Sequence, residues 1–258
     1  MKTQIKTISI LVFLTLGLAA CGSKPEPTPT PEISTSGQFV AAEEEEQPQV
    51  DPMVLCAANI ELPDEPAYPL VYCDDFENPD GTLMPVGEFE SKNLDMTNEI
   101  YNGLYTIRMD VSKDSDAWTM MPVLDVRDFV IQVDGKLASH SGHPYHKWGI
   151  MLKKDPKEDV YYFFAIDNND LYYFMKVSGE KLTNLINGRK SEDINPLEEG
   201  NTLTVTANGD TFSFYINGEY QEEFKDNRIQ KGGLGLYFRV GKNTILDWEF
   251  DNLVVYAN

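Results

Sequence analysis

All three histidines of the chain lie within ten residues, "HSGHPYHKWG" (140–149): His140, His143 and His146, followed by Trp148. Zinc asks for three or four convergent ligands, and imidazole nitrogen is a common one. An H-x2-H-x2-H spacing meets that demand only if the loop curls all three rings inward, and no cysteine or acidic fourth ligand stands nearby. A second chemistry suits the residues better. His143, Tyr145, His146 and Trp148 offer flat apolar faces with polar edges, as sugar recognition requires when rings stack on aromatics and hydroxyls find hydrogen-bond donors. In a third arrangement the stretch is an exposed polar loop and Trp148 plugs the core.

Aromatic pairs recur further along, at Tyr161-Tyr162, Phe163-Phe164 and Tyr172-Tyr173. Strand alternation sends half of them to each face, so Tyr162 and Tyr173 line a ligand groove while their neighbours fill the core, or the reverse. "KGGLGLYFRV" reads as a glycine-permitted strand bend with Tyr237 and Arg239 as groove residues. Trp118 and Trp248 are assigned to the core. Catalytic signals are few. The acid pairs Glu158-Asp159 and Glu192-Asp193 are adjacent in sequence and read as turn or surface residues, and neither a Gly-x-Ser-x-Gly elbow nor a phosphate loop is present.

The elements that must position these side chains are strands. Asn102-Gly103, Asn187-Gly188, Asn208-Gly209 and Asn217-Gly218 sit beside alternating or apolar segments, and Asn-Gly supplies the positive φ angles of tight hairpins. In "NTLTVTANGDTFSFYINGEYQEEF", Leu203, Val205 and Ala207 alternate with threonines, and Phe212, Phe214 and Ile216 with polar residues and Tyr215. Other runs, such as "KWGIMLKK" and "DVYYFFAID", are apolar on both faces, as in the middle of a covered sheet. No stretch offers sustained helical periodicity. The expectation is an all-β fold, a two-sheet antiparallel β-sandwich of about a dozen strands in jelly-roll form, over residues 53–258.

Ahead of it, Lys2 and Lys6 precede "ISILVFLTLGLAA", an apolar run of signal-peptide length. It ends in Leu18-Ala19-Ala20-Cys21, which resembles the lipobox of bacterial lipoproteins, so residues 1–20 are expected to be removed and Cys21 lipidated. Residues 21–52, rich in Pro, Glu and Thr, have little to bury and read as a tether. Losing residues 1–20 moves the formal charge from −21 to −23, which excludes nucleic acid as a partner. The expected location is the cell envelope, outside the cytoplasm, with the membrane reached through the lipid. In that setting the remaining cysteines, Cys56 and Cys73, are expected to form a disulfide.

The ordered set "YCDDFENPDG", "EIYNGLYTIRM", "DVYYFFAIDNNDLYYFMKV", "LTVTANGDTFSFYINGEY", "GGLGLYFRV" and "WEFDNLVVY" resembles bacterial concanavalin A-like lectin/glucanase (laminin-G-like) jelly rolls over about residues 70–257. The resemblance implies a structural calcium tying the first strand to the last, with Asp251 of "FDNLVVY" as a ligand and Asp74 and Asp75 of the opening "DDF" supplying further hard oxygens. It also brings in retaining glucanases, whose Glu-x-Asp-x-x-Glu strand is missing here; the nearest run, Glu249 to Val254, lacks the second glutamate. The functional expectation is a glycan-binding or adhesive module. The alternatives are a glycoside-acting enzyme of the concanavalin A-like/3-keto-disaccharide hydrolase type, needing two carboxylates about 5–10 Å apart, and a structural or protein-interaction lipoprotein.

Overall fold

The computed structural model describes residues 51–258 apart from Leu124. The expected signal peptide, the lipidation site Cys21 and nearly all of the tether lie outside the described residues. One helix, α1 (Pro52–Ala58), precedes fifteen strands: β1 (Leu70–Asp74), β2 (Gly87–Glu90), β3 (Leu94–Tyr101), β4 (Leu104–Val111), β5 (Ser115–Met120), β6 (Phe129–Ser141), β7 (His146–Lys154), β8 (Val160–Asp167), β9 (Leu171–Ser178), β10 (Lys181–Lys190), β11 (Asn201–Asn208), β12 (Thr211–Ile216), β13 (Glu219–Lys225), β14 (Gly233–Val240) and β15 (Thr244–Ala257). They form two antiparallel sheets. The nine-stranded sheet runs β13-β12-β11-β6-β15-β4-β3-β2, with β1 also on β15; the six-stranded sheet runs β10-β9-β8-β7-β14-β5. The two-sheet antiparallel sandwich expected from the sequence is therefore the fold.

The turn chemistry explains much of the strand order. Asn102 and Gly103 (φ 54° and 73°) and Asn217 and Gly218 (φ 52° and 83°) each close a two-residue hairpin, β3–β4 and β12–β13. Asn187-Gly188 does something else. It lies inside β10, where the pairing with β9 slips between Ile186 and Arg189, and a Cβ on Gly188 would meet the Tyr173 ring at 3.0 Å. The glycine there permits a bulge under an aromatic ring rather than a turn.

Between the sheets lies one aromatic-rich core. Phe164 stacks on Phe214 at 4.6 Å between centroids, Phe174 meets Phe212 at 5.1 Å, and Trp148 lies edge-on to Phe250 at 5.4 Å. Gly135 makes room for Trp148, because a Cβ there would stand 2.6 Å from the indole. These contacts fix which residues of β7, β8 and β9 point inward, and the pleat sends their neighbours outward.

The helix is a local addition that periodicity could not show, being seven residues long. Asp51 caps it by accepting the Met53 N–H at 2.9 Å, and Pro52 opens its first turn. The Cys56–Cys73 disulfide joins it to β1. Met53, Ile60 and Leu62 then pack with Val254 and Tyr256 of β15 as a small second cluster.

Candidate functional site

Side chains pointing away from the core on the six-stranded sheet form rows across it. The first row is Asp116 (β5), Arg239 (β14), Lys147 (β7) and Asp167 (β8). The second is Trp118, Tyr237, Gly149, Ala165 and Tyr173. Gly149 contributes no side chain, so Phe163 and Tyr237, from strands on either side of β7, reach across and stack at 4.0 Å with 14° between their planes. Stacking of this kind makes a flat, rigid platform, although both rings are themselves buried.

Trp118 stands beside the platform, 39% exposed, with its ring 6.1 Å from that of Tyr161. It lines two depressions at once. One, of about 310 Å³, has Tyr161, Phe163, Tyr237, Asp116 and Arg239 in its wall. The other, of about 600 Å³, runs past Met120, Lys154 and Pro156. The polar edge is ordered by an ion pair: the Arg239 guanidinium donates to both Asp116 oxygens at 3.1 and 2.9 Å, and the Tyr237 hydroxyl donates to the same carboxylate at 2.5 Å. Burial, with the Asp116 charge behind it, raises the Tyr237 phenol, which stays protonated and donating.

At the other end of the first row, Asp167 accepts the N–H groups of Asn169 and Leu171 at 2.9 and 3.2 Å and the Tyr173 hydroxyl at 2.8 Å. The Lys147 ammonium lies 3.1 Å from the centre of the Tyr173 ring, a close cation–π contact. Burial lowers its pKa to about 8, partly offset by Asp167.

This arrangement redistributes the residues singled out in the sequence. Tyr173 and Tyr237 are on the outer face of the sheet, but both are buried. Tyr162 is on the opposite face from Tyr173, because β8 and β9 pair Ala165 with Tyr173 and Tyr162 with Lys176. Its ring stacks on Phe174 in the core, and its hydroxyl donates to Asp226.

The histidine stretch is the junction where the chain leaves β6 in one sheet and enters β7 in the other. His146 and Trp148 take inward positions and are fully buried, so the expected rim of His143, Tyr145, His146 and Trp148 does not assemble. His143 is exposed, with its Nδ1 accepting the Tyr145 N–H at 3.1 Å, and Tyr145 is half-buried. His146 packs against His140, 5.3 Å between ring centres, and neither of its ring nitrogens has a hydrogen-bond partner. Trp118 is the converse case. Assigned to the core from sequence, it is outside, because the core-facing residues of β5 are Ala117 and Thr119. Trp248 is in the core as expected.

Among the described residues no group of three His, Cys, Asp or Glu side chains is placed to hold a metal ion. Asp74 has both oxygens occupied, by the Tyr72 hydroxyl at 2.7 Å and the Phe76 N–H at 2.9 Å. Asp251 is half-buried at the bulge where β15 changes register, and burial, then the charges of Asp134, Asp75 and Glu77, raise its pKa. It shares a polar depression of about 470 Å³ on the nine-stranded sheet with Asp134, Lys136 and Glu249. The Asp134 carboxylate there accepts from the Thr202 hydroxyl at 2.5 Å and the Asn252 amide at 2.8 Å.

Neither a protein-family model nor a curated protein matches this chain. Solved structures do. An endo-β-galactosidase from Clostridium perfringens that releases GlcNAcα1-4Gal aligns at 11% identity and a TM-score of 0.56, over 76% of this chain and 64% of that one. The laminarinase catalytic domain from Thermotoga maritima aligns at 13% identity and 0.52, over 74% of this chain and 98% of that one. A carbohydrate-binding module from Bacillus subtilis aligns at 20% identity and 0.47, over 58% and 86%. At these identities the likeness to the first two is one of fold alone, the concanavalin A-like jelly-roll sandwich.

Proposed function

We propose that this protein is a glycan-binding module held outside the cytoplasm by a lipid on Cys21, and that its binding surface is the outer face of the six-stranded sheet. The observation that carries the reading is Trp118, an exposed indole between two depressions, next to a stacked Phe163–Tyr237 pair and the Asp116–Arg239 ion pair. A sugar ring presents an apolar C–H face to an indole and hydroxyls to a fixed carboxylate and guanidinium, so affinity comes from stacking and orientation from the polar edge. Within the first row the two carboxylates, Asp116 and Asp167, stand three strand spacings apart, about 14 Å, which is too wide for that pair to act as acid and base on one glycosidic bond. The membrane is reached through the lipid: each buried methylene contributes about 0.8 kcal/mol, so a multiply acylated Cys21 anchors the chain without a spanning helix. A structural calcium would draw on Asp74, Asp75 and Asp251 with backbone carbonyls.

One observation favours a glycoside-acting enzyme instead. Asp134 and Asp251 face each other across β6 and β15, roughly 5 Å apart at the backbone, and the Asp251 carboxyl is shifted upward as a general acid needs. That depression has no exposed aromatic comparable to Trp118; Phe250, the aromatic in its wall, is buried.

A glycan array probed with the purified protein separates the readings. Selective, reversible retention of intact glycans supports the binding module. Release of shortened products that Asp251→Asn abolishes supports the enzyme, and no interaction with any glycan overturns both.

A further inference from the structure

The first row of the outer face holds two acids and two bases, but their hydrogen-bonding capacity is not evenly used. Asp116 is engaged by Arg239 and Tyr237, and Asp167 by Tyr173 and two backbone N–H groups. The row's acceptors are therefore taken inside the protein. Its donors are not. Arg239 bonds through one terminal nitrogen alone, and the Lys147 ammonium, in a side chain 6% exposed, has the Tyr173 ring beneath it and no hydrogen-bond acceptor. The described side-chain polar atoms that are both sealed from solvent and unpartnered belong to Asn98, His146, Trp148 and Trp248, so the Lys147 nitrogen is not completely sealed. Arg239 lines the depression beside Trp118, and Lys147 is its cross-strand partner.

We infer that the bound glycan carries an anionic substituent, a carboxylate or a sulfate ester, seated on Lys147 and Arg239 while its sugar ring stacks on Trp118. The inference rests on the glycan-binding reading and deepens it. An anionic oxygen supplies the acceptor that these donors lack, and charge-assisted hydrogen bonds are about twice as strong as neutral ones. The rest of the rim limits the charge. Asp159 and Glu180 line the far end of one depression, and Asp125 and Asp155 the other. They repel a densely charged polyanion, which selects a glycan whose anionic groups are sparse.

The groups facing Lys147 are Asp116 from β5, Arg239 from β14, Asp167 from β8, Tyr173 from β9 and Tyr145 from the preceding loop. Its ammonium loses charge through about pH 8, and anion binding is lost with it. Calorimetric titration tests this with three length-matched oligosaccharides: a neutral galactan, one bearing a single uronate, and one bearing a single sulfate. The expected result is an anionic ligand bound at least tenfold more tightly than the neutral one, with Lys147→Met and Arg239→Gln each removing that preference. Binding of the anionic ligand should also fall about tenfold between pH 7 and 9.5 in the native protein and stay level in Lys147→Met. The uronate and sulfate arms tell which anion is read. Equal affinity for neutral and anionic ligands, or a preference that survives both substitutions, overturns the inference and leaves glycan binding standing. Failure to bind any of the three, with a silent glycan array, removes the glycan reading and the inference together.

Discussion

Trp118→Ala is expected to weaken glycan binding at least tenfold, about 1.4 kcal/mol, and to cost about 1 kcal/mol or less in folding stability. Trp148→Ala is expected to do the opposite in kind, costing about 3–5 kcal/mol of stability. The contrast follows from where the two indoles stand. Trp118 is exposed and touches Tyr161 at its edge, so its removal leaves no sealed cavity. Trp148 is fully buried between Phe250 and the space that Gly135 leaves for it, so its removal empties the middle of the sandwich. Urea unfolding and glycan titration of the two variants, run side by side, check both halves. A Trp148 variant of native stability, or a Trp118 variant of native affinity, would contradict the assignment of faces.

Acid is expected to weaken the fold through His146. Burial, then the charges of His140 and His143, hold its pKa at about 4, against an ordinary value of 6.5. Because the folded-state value lies below the unfolded one, the unfolded chain takes up the proton first. The contribution is whole above about pH 6.5, shrinks as the pH falls, and is gone by about pH 4, a loss on the order of 3 kcal/mol. Replacing His146 with leucine removes the titrating group from a position whose two ring nitrogens have no partners, so little bonding is lost with it. Unfolding free energies measured from pH 7 down to pH 4 should fall less steeply in His146→Leu than in the native protein. Parallel curves would show that the His140–His146 contact opens without cost.

Much of this architecture is readable in the residues. Period-two alternation at Leu203, Val205 and Ala207, and again at Phe212, Phe214 and Ile216, specifies both the strands and the face each buries. The Asn-Gly pairs mark hairpins where both residues take positive φ. The same pair at Asn187-Gly188 makes a bulge, because what decides its conformation is the Tyr173 ring from the neighbouring strand, a contact no local pattern carries.

The site was harder to read for a related reason. Strands such as β7, β8 and β14 are apolar on both faces, so alternation gives the parity of a residue and not the direction of the core. The sequence offers Tyr162, Tyr173 and Tyr237 alike to a groove. The β8–β9 register, fixed by the short turn at Asn168–Asp170, sets Tyr162 and Tyr173 on opposite faces. Trp118 was missed because a lone tryptophan in a β-rich chain is ordinarily core. A signal is available in "SDAWTM", where strand alternation puts Trp118 on the same face as the charged Asp116, a face that points to solvent. The histidine spacing attracted attention to a junction between sheets, where His140 and His146 meet because one belongs to each sheet.

The most direct test of the outer face as a glycan site uses the chain's three tryptophans as they are. Trp148 and Trp248 are fully buried and Trp118 is 39% exposed, so acrylamide quenching of native tryptophan fluorescence reports on Trp118. Titrating a glycan that the array identifies should shield that fluorescence from acrylamide in a saturable way, and Trp118→Phe should abolish the change. A glycan that binds by calorimetry yet leaves the quenching of Trp118 untouched would place recognition elsewhere on the molecule and contradict the account.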